Sequence, residues 1–265
     1  MRGPPENPAI EWGPVAPPEG VRIGRHGSDR WVEWAGIGRL RVPDSGAGAQ
    51  FWPDPAADAM ALQKFRATSL LTCQRYLLGK LSLHGSAVRL SRGAVVLVGE
   101  AHAGKTTTAM ALVEQAGGDF LADDHVPIDW QAGVAMVPPV EDHFWLTDES
   151  AAWFGLEGSS VRKLPHAPRS RAAGPEPLRA IVQLMFDESL SGPVWEPLHG
   201  QEKFLMLSNA QICYSTFEEA DTLRNLRLRA ELSAEVPAFR LRRPRTLAGL
   251  VAAAQAVALA LGDAR

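Results

Sequence analysis

The spacing of hydrophobic and polar positions changes along the chain, and each change predicts a different element. Between residues 21 and 52, short runs alternate apolar and polar residues between glycine, aspartate and serine. This period of two predicts a small antiparallel β subdomain. From residue 58 onward the apolar positions recur at helical spacing, which predicts an amphipathic helix. Its apolar positions are Met60, Phe65, Leu70, Cys73, Leu77 and Leu81.

The pattern of residues 81–129 predicts a hairpin, a glycine-rich loop, a helix and a further strand. Residues 81–90 and 93–100 are apolar runs separated by a short turn, and the second run leads directly into the loop. A helix from residue 105 ends at a glycine pair, and a strand begins at residue 119.

Beyond residue 129 the pattern is less regular. A loop and a short helix are predicted between residues 136 and 157, and a strand between 178 and 186. A new element is expected to begin at residue 208, and a late strand at 236–244 precedes a closing helix. The chain is therefore predicted to be an α/β protein.

Composition suggests how the chain is divided and excludes some functions. Residues 1–20 are rich in proline and glycine, which predicts a flexible lead-in; residues 21–58 form the β subdomain and residues 59–265 the main domain. A formal net charge of -3 argues against non-specific nucleic-acid binding, which draws on a basic surface.

The cysteine content and the apolar stretches predict the location and redox environment of the protein. The two cysteines, Cys73 and Cys213, lack the short spacing of metal or redox pairs, which fits a reducing cytoplasm. The N-terminus has no apolar signal core, and the longest apolar stretch, residues 250–261, contains Gln255 and is too short to span a membrane. We therefore expect a cytoplasmic protein with no membrane partner.

The glycine-rich loop carries the strongest chemical signal. Gly99, four intervening residues and then Gly104, Lys105 and Thr106 match the P-loop pattern, between a predicted strand and a predicted helix. Backbone N–H groups of such a loop point at phosphates, the lysine reaches the β- and γ-phosphate oxygens, and the threonine hydroxyl can bind Mg²⁺. The predicted nucleotide-binding residues are Gly99, Glu100, Ala101, His102, Ala103, Gly104, Lys105, Thr106 and Thr107.

Position 102 is unusual, because glycine is common at that place in such loops. We expect the side chain of His102 to point outward and its backbone to avoid strain.

Two adjacent aspartates follow in the next predicted strand. Asp123 and Asp124 are expected at the end of that strand, where the turning chain lets both approach one Mg²⁺-phosphate centre. One carboxylate would hold the metal together with Thr106, and the other would accept a proton from an incoming hydroxyl. The doublet favours phosphate transfer to an acceptor over simple hydrolysis.

These motifs resemble a known family. The series "LHGSAV", "VVLVGEAHAGKTTTAMAL" and "GGDFLADDHV", within residues 82–127, resembles the catalytic domain of HPr kinase/phosphorylase and its serine-kinase relatives. The outer segments are similar to HPr-kinase-like proteins of peptide natural-product gene clusters, such as those for lasso peptides. The "EVRG"-like stretch of the bifunctional enzymes is not visible, which makes phosphorolysis and the HPr substrate doubtful.

The resemblance implies a P-loop kinase of the type shared by HPr kinase and phosphoenolpyruvate carboxykinase, here with a small N-terminal β subdomain. It implies ATP and Mg²⁺ as cofactors and a serine hydroxyl of a peptide or protein as acceptor. His84 corresponds to the family's active-site histidine, Lys105 and Thr106 to its P-loop pair, Asp123 to the metal-side aspartate and Asp124 to the base. The main domain would be the catalytic domain.

Arginines and tryptophans outside these motifs have weaker assignments. A phosphoryl transition state needs positive charge beyond the P-loop lysine, and Arg162 or Lys163 in a predicted loop could supply it. The "FRLRRPR" stretch is predicted to be an exposed strand or a docking surface for an acidic peptide. Five tryptophans would build the core of the β subdomain or, alternatively, a peptide-binding edge: Trp12, Trp31, Trp34, Trp52 and Trp145.

Two alternatives stay open on the sequence alone. The chain could phosphorylate a small hydroxyl-bearing metabolite, or it could bind nucleotide as a regulatory module without transfer. The oligomeric state is also open.

Overall fold

The computed structural model of the protein describes residues 10–13, 20–45, 48–156, 164–212 and 219–262. The chain divides into two compact units. The first comprises Met1–Lys80 and Cys213–Leu226, and the second comprises Leu81–Ile212 and Arg227–Arg265.

The first unit is built on a five-stranded antiparallel sheet in which the strands follow chain order. The strands are β1 (Glu11–Trp12), β2 (Val21–His26), β3 (Asp29–Trp34), β4 (Gly38–Val42) and β5 (Gln50–Pro53). The antiparallel subdomain predicted from the period of two is confirmed. Within the predicted lead-in, β1 pairs with β2; residues 1–9 and 14–19 lie outside the described residues.

The helix predicted after this sheet is interrupted. It consists of α1 (Ala59–Phe65), a π-helical turn (Arg66–Leu70) and α2 (Leu71–Leu77). The hydroxyls of Thr68 and Thr72 donate to carbonyls one turn back, at 2.8 Å each, a type of bond that often bends helices. Leu81, expected on the helix, lies instead in the next strand.

Helix and sheet share one apolar core in the first unit. Leu70, Cys73 and Leu77 pack with Val32 and Leu40 of the sheet. Because of this packing, the helical segment belongs to the first unit, whereas the sequence places the domain boundary at residue 58. Trp31 and Trp34 are buried there, and Trp31 stacks on Trp52 with ring centroids 5.7 Å apart.

The second unit contains a seven-stranded mixed sheet in the order β13-β14-β12-β7-β6-β8-β9. Its strands are β6 (Leu81–Leu90), β7 (Gly93–Val98), β8 (Asp119–Gln131), β9 (Val134–Val137), β12 (Glu176–Phe186), β13 (Val194–Leu198) and β14 (Ala238–Arg243). A separate pair consists of β10 (Phe144–Leu146) and β11 (Leu164–His166). The three strands β7, β12 and β14 run parallel, and β6 and β8 are antiparallel to their neighbours. The chain is a mixed α/β protein, as its pattern predicts.

Helices cover both faces of this sheet. They are α3 (Lys105–Ala116), α4 (Asp148–Trp153), α5 (Gly200–Ala210), α6 (Glu219–Glu235, which begins in the first unit) and α7 (Leu247–Leu261). Successive residues of β7 point to opposite faces, so Val95 and Leu97 pack in the core with α3 and α7 while Val96 packs in the core with α5.

In the second unit, the sequence interpretation was right for the hairpin β6–β7, for α3 and for the closing strand and helix, and wrong about β8, the element expected at residue 208 and α6. β8 does not end at the aspartates but continues to Gln131. The element expected to begin at residue 208 is instead the end of α5, and α6 was not predicted. In the described part of the chain, no helix is long and apolar enough to cross a membrane.

Candidate phosphate-binding site

The glycine-rich loop lies where β7 ends and α3 begins. Because β7, β12 and β14 are parallel, their carboxyl ends meet at one edge of the sheet, which is where α/β proteins bind ligands. Residues at the ends of these strands, Gly99, Phe186 and Arg243, therefore border the same region.

Two glycines allow the chain to turn between the strand and the helix. Gly99 has φ 147°, and a β-carbon there would lie 2.7 Å from the carbonyl oxygen of Leu184. Gly104 has φ 86° and caps α3 in the left-handed conformation. Both positions need glycine for backbone conformation and for close approach.

His102 is exposed, as predicted, but its backbone does not avoid strain. Its φ is 65°, in the left-handed region that non-glycine residues seldom adopt. Such outliers persist when the surrounding structure holds them, and here the turn is held by a hydrogen bond from Ala103 N to Glu100 O at 3.2 Å.

Lys105 is the first residue of α3, and its side chain folds back over the loop. It is 8% exposed, and Nζ donates to the carbonyl oxygens of Gly99 and Glu100 at 3.0 Å each. The ammonium is thus held beside the loop whose N–H groups and helix dipole favour an anion.

Asp123 is the most enclosed acidic group of the site, with no exposed surface. The hydroxyls of Ser86 and Thr106 donate to its Oδ1 at 2.6 and 2.8 Å, and the backbone N–H of Trp145 donates to Oδ2 at 3.0 Å. Burial raises the pKa of Asp123, the three hydrogen bonds lower it, and the neighbouring Asp124 carboxylate raises it, for a net increase. The carboxyl group is rigidly held at the helix start.

Asp124 departs from regular strand geometry in a way that the sequence does not reveal. Adjacent residues of a regular strand point to opposite faces, but Asp124 has φ 68°, so the backbone is locally left-handed within β8. Nδ1 of His84 lies 3.0 Å from the carbonyl oxygen of Asp124 and 3.7 Å from its Oδ1. The strand register places His84 opposite His125 and Ser86 opposite Asp123.

The structure thus brings together most of the predicted site residues. Lys105, Thr106 and Asp123 lie together at the beginning of α3, and Asp124, next to Asp123 in β8, lies beside His84. Glu100, Ala101 and His102 are exposed on the loop, and the hydroxyl of Thr107 lies 3.0 Å from that of Ser150. Arg162 and Lys163 lie outside the described residues.

Three residues of this region were missed or misassigned from the sequence. Ser86 could have been found, because it lies two positions after His84 on the same strand face. Trp145 was assigned to the β subdomain but belongs to β10, 22 residues after Asp123, and no sequence signal marks its backbone N–H. Arg243 was placed on an exposed strand but is 1% exposed, because β14 lies between β12 and β13.

The donor set fits Mg²⁺ in the way that nucleotide sites hold it. Thr106 Oγ1 and a carboxylate oxygen of Asp123 are hard oxygen ligands 2.8 Å apart at the phosphate end of the loop. Among the described residues there is no group of three or more His, Cys, Asp or Glu that could hold a metal. Mg²⁺ sites of this class need no such group, since one or two protein oxygens act together with phosphates and water.

Comparisons with known proteins give little guidance about function. No protein-family model and no curated protein matches the sequence. Among solved structures, the chain is similar to the HPr(Ser) kinase/phosphatase from Coxiella burnetii. The two share 11% sequence identity, the match covers 62% of this chain and 85% of that chain, and the TM-score is 0.34. A likeness at this level does not establish an activity for this chain.

Proposed function

We propose that this protein is an ATP- and Mg²⁺-dependent kinase that transfers the γ-phosphate to a serine hydroxyl of a peptide or protein. The observation that carries the proposal is the pair of adjacent aspartates with different environments. The buried Asp123 bonds to Thr106 at the start of α3, and the more exposed Asp124 lies 3.7 Å from His84 Nδ1.

The residues divide into two groups by environment. Thr106 and Asp123, on the buried side, would hold Mg²⁺, which when bound neutralises charge on the phosphates. The loop N–H groups and Lys105 would bind and orient those phosphates. Since Lys105 Nζ already bonds to Gly99 O and Glu100 O, it is held in place before any ligand arrives.

Asp124 is proposed as the general base. Its side chain is 20% exposed, so an acceptor hydroxyl can reach it, whereas Asp123 is closed off by its three donors. The base would take the serine proton as the new bond to phosphorus forms. His84 contacts the Asp124 carbonyl and would fix the unusual backbone conformation that presents this carboxylate.

The proposed acceptor follows from the family resemblance. A peptide serine is favoured by the family resemblance of residues 82–127, and a ribosomal natural-product precursor, such as a lasso peptide precursor, is the candidate to test first. Free serine and small hydroxyl metabolites are the alternative acceptors.

The test is intact-mass analysis of candidate peptides after incubation with ATP, Mg²⁺ and the protein. Wild type should add one phosphate to a serine, and Asp124→Asn should slow transfer by about 10²- to 10⁴-fold while still binding ATP. Asp129→Asn, on the same strand outside the site, is the matched control and should transfer normally.

The outcomes separate the competing functions. Phosphate gain on a metabolite and on no peptide would favour the metabolite kinase. ATP binding that is unaffected by Asp124→Asn, with no transfer to any acceptor by wild type, would contradict the kinase proposal and favour a regulatory nucleotide-binding module.

A further inference from the structure

Arg243, the last residue of β14, occupies an unusual position for a cation. It is 1% exposed and is among the largest fully buried side chains of the described residues. A charged group so deep in a protein costs several kcal/mol unless it is paired with an anion or fully hydrogen-bonded.

The contacts of Arg243 leave part of its guanidinium unsatisfied. Nη1 donates to the carbonyl oxygen of Pro244 at 3.3 Å, and the guanidinium carbon lies 4.7 Å from the centre of the Phe186 ring. Nε and Nη2 are buried and have no hydrogen-bond partner in the described part of the chain. Burial and the nearby Arg245 cation lower the pKa of Arg243 to about 10, which leaves it protonated at neutral pH.

The unsatisfied end of Arg243 lies against the phosphate loop. A β-carbon at Gly104 would be 2.6 Å from Nη2, so the guanidinium occupies the space beside the residue that immediately precedes Lys105. Only glycine permits this approach. A cation with free donors therefore adjoins the backbone whose N–H groups and helix dipole also favour an anion.

We propose that Arg243 is a second cationic ligand of the phosphate chain bound by the loop, acting together with Lys105. The inference rests on the proposed function only in requiring that the loop binds a nucleoside triphosphate. A phosphate oxygen would satisfy the unpaired donors and supply a countercharge that none of the described residues provides. Charge-assisted bonds from arginine to phosphate are among the stronger hydrogen bonds in proteins.

A purely structural role explains the observations less well. Stacking on Phe186 and one bond to Pro244 could be served by an uncharged side chain, without the cost of a buried charge. The neighbouring Arg242 shows the contrast, since it is paired with Asp187 at 2.9 Å and Glu196 at 2.7 Å.

The test compares Arg243→Met and Arg243→Lys with the control Arg242→Met in the full chain. Binding of ATP and of inorganic pyrophosphate is measured by calorimetry, and the thermal midpoint is measured without ligand. For Arg243→Met we expect both affinities to fall about 10- to 100-fold, since hydrogen bonds to charged groups are lost, with a midpoint equal to or above that of wild type because a buried charge is removed. The affinities of Arg243→Lys should lie between those of Arg243→Met and wild type, and Arg242→Met should bind both ligands as wild type does.

Each result bears on the proposal. Unchanged ATP and pyrophosphate affinity in Arg243→Met would overturn it, as would a loss of affinity matched by a lowered midpoint, which would indicate a structural role. If Arg243→Met does not fold, the affinity of Arg243→Lys tests the proposal. A single ammonium cannot reproduce the planar pair of donors of a guanidinium, so this variant must bind ATP and pyrophosphate more weakly. Wild type that binds ATP but transfers no phosphate would refute the kinase proposal and leave this one testable; wild type that binds neither ligand would refute both.

Discussion

Removing the hydroxyl of Ser86 should destabilise the second unit through its effect on Asp123. Ser86 is fully buried, and its Oγ donates to Asp123 Oδ1 at 2.6 Å, a bond to a carboxylate that has no exposed surface. At a pH above the folded pKa of Asp123, where this carboxylate is ionised, a hydrogen bond to it contributes about 1.5–3 kcal/mol. For a unit of this size we expect Ser86→Ala to lower the thermal midpoint by about 3–12 °C.

The matched control is Ser208→Ala. Ser208 is a partly buried helix residue whose hydroxyl donates only to the backbone carbonyl of Phe204, at 2.7 Å. The same atoms are deleted but no carboxylate loses a donor, so the change should stay within about 0.5 kcal/mol of wild type. Both variants are compared by circular dichroism melts in metal-free buffer.

The pH dependence gives a second check on the same reasoning. Because the pKa of Asp123 is raised in the folded state, folding favours its protonated form. The stability that this carboxyl contributes is therefore present below its unfolded pKa, about 3.9, and is lost as pH rises through the higher folded value. Ser86→Ala should raise the folded pKa further, so the stability gap to wild type should widen with pH.

A gap that is the same at pH 4 and pH 8, or a midpoint for Ser86→Ala equal to that of Ser208→Ala, would refute this account. It would mean that the hydrogen bond from Ser86 does not stabilise the ionised carboxylate.

Two further predictions concern the loop and the small unit. Gly104→Ala should abolish ATP binding and destabilise the protein, because Gly104 has φ 86° and the added methyl would lie 2.6 Å from Arg243 Nη2. The control is Gly117→Ala at the other end of the same helix, where φ is 70° but the surrounding space is open; it should cost about 1 kcal/mol and leave ATP binding intact. Calorimetry measures the binding, and thermal melts measure the stability. Cys73 is fully buried, and burial raises the pKa of its thiol. In a Cys213→Ser variant, Cys73 should therefore react with a thiol reagent only as fast as the protein unfolds, and rapid labelling of the native protein would contradict this.

The sequence by itself determined the local features of this protein. The period of two over residues 21–52 predicted the antiparallel sheet, and the glycine spacing between an apolar run and a helix predicted the loop at residues 99–104. These features are readable because glycine's freedom at positive φ and the alternation of a strand act within a few residues. The pairing of β6 with β7 was predictable for the same reason.

Only the tertiary structure decided how the site is assembled. Asp123 is held by Ser86, 37 residues before it, and by Trp145, 22 residues after it, and these contacts depend on strand register and on the position of β10. Arg243, in a sequence segment that looks like an exposed basic strand, is buried beside Gly104 because β14 joins the sheet between β12 and β13. Burial and long-range hydrogen bonds arise when distant segments of the chain pack together, so they cannot be predicted from the local pattern of charges.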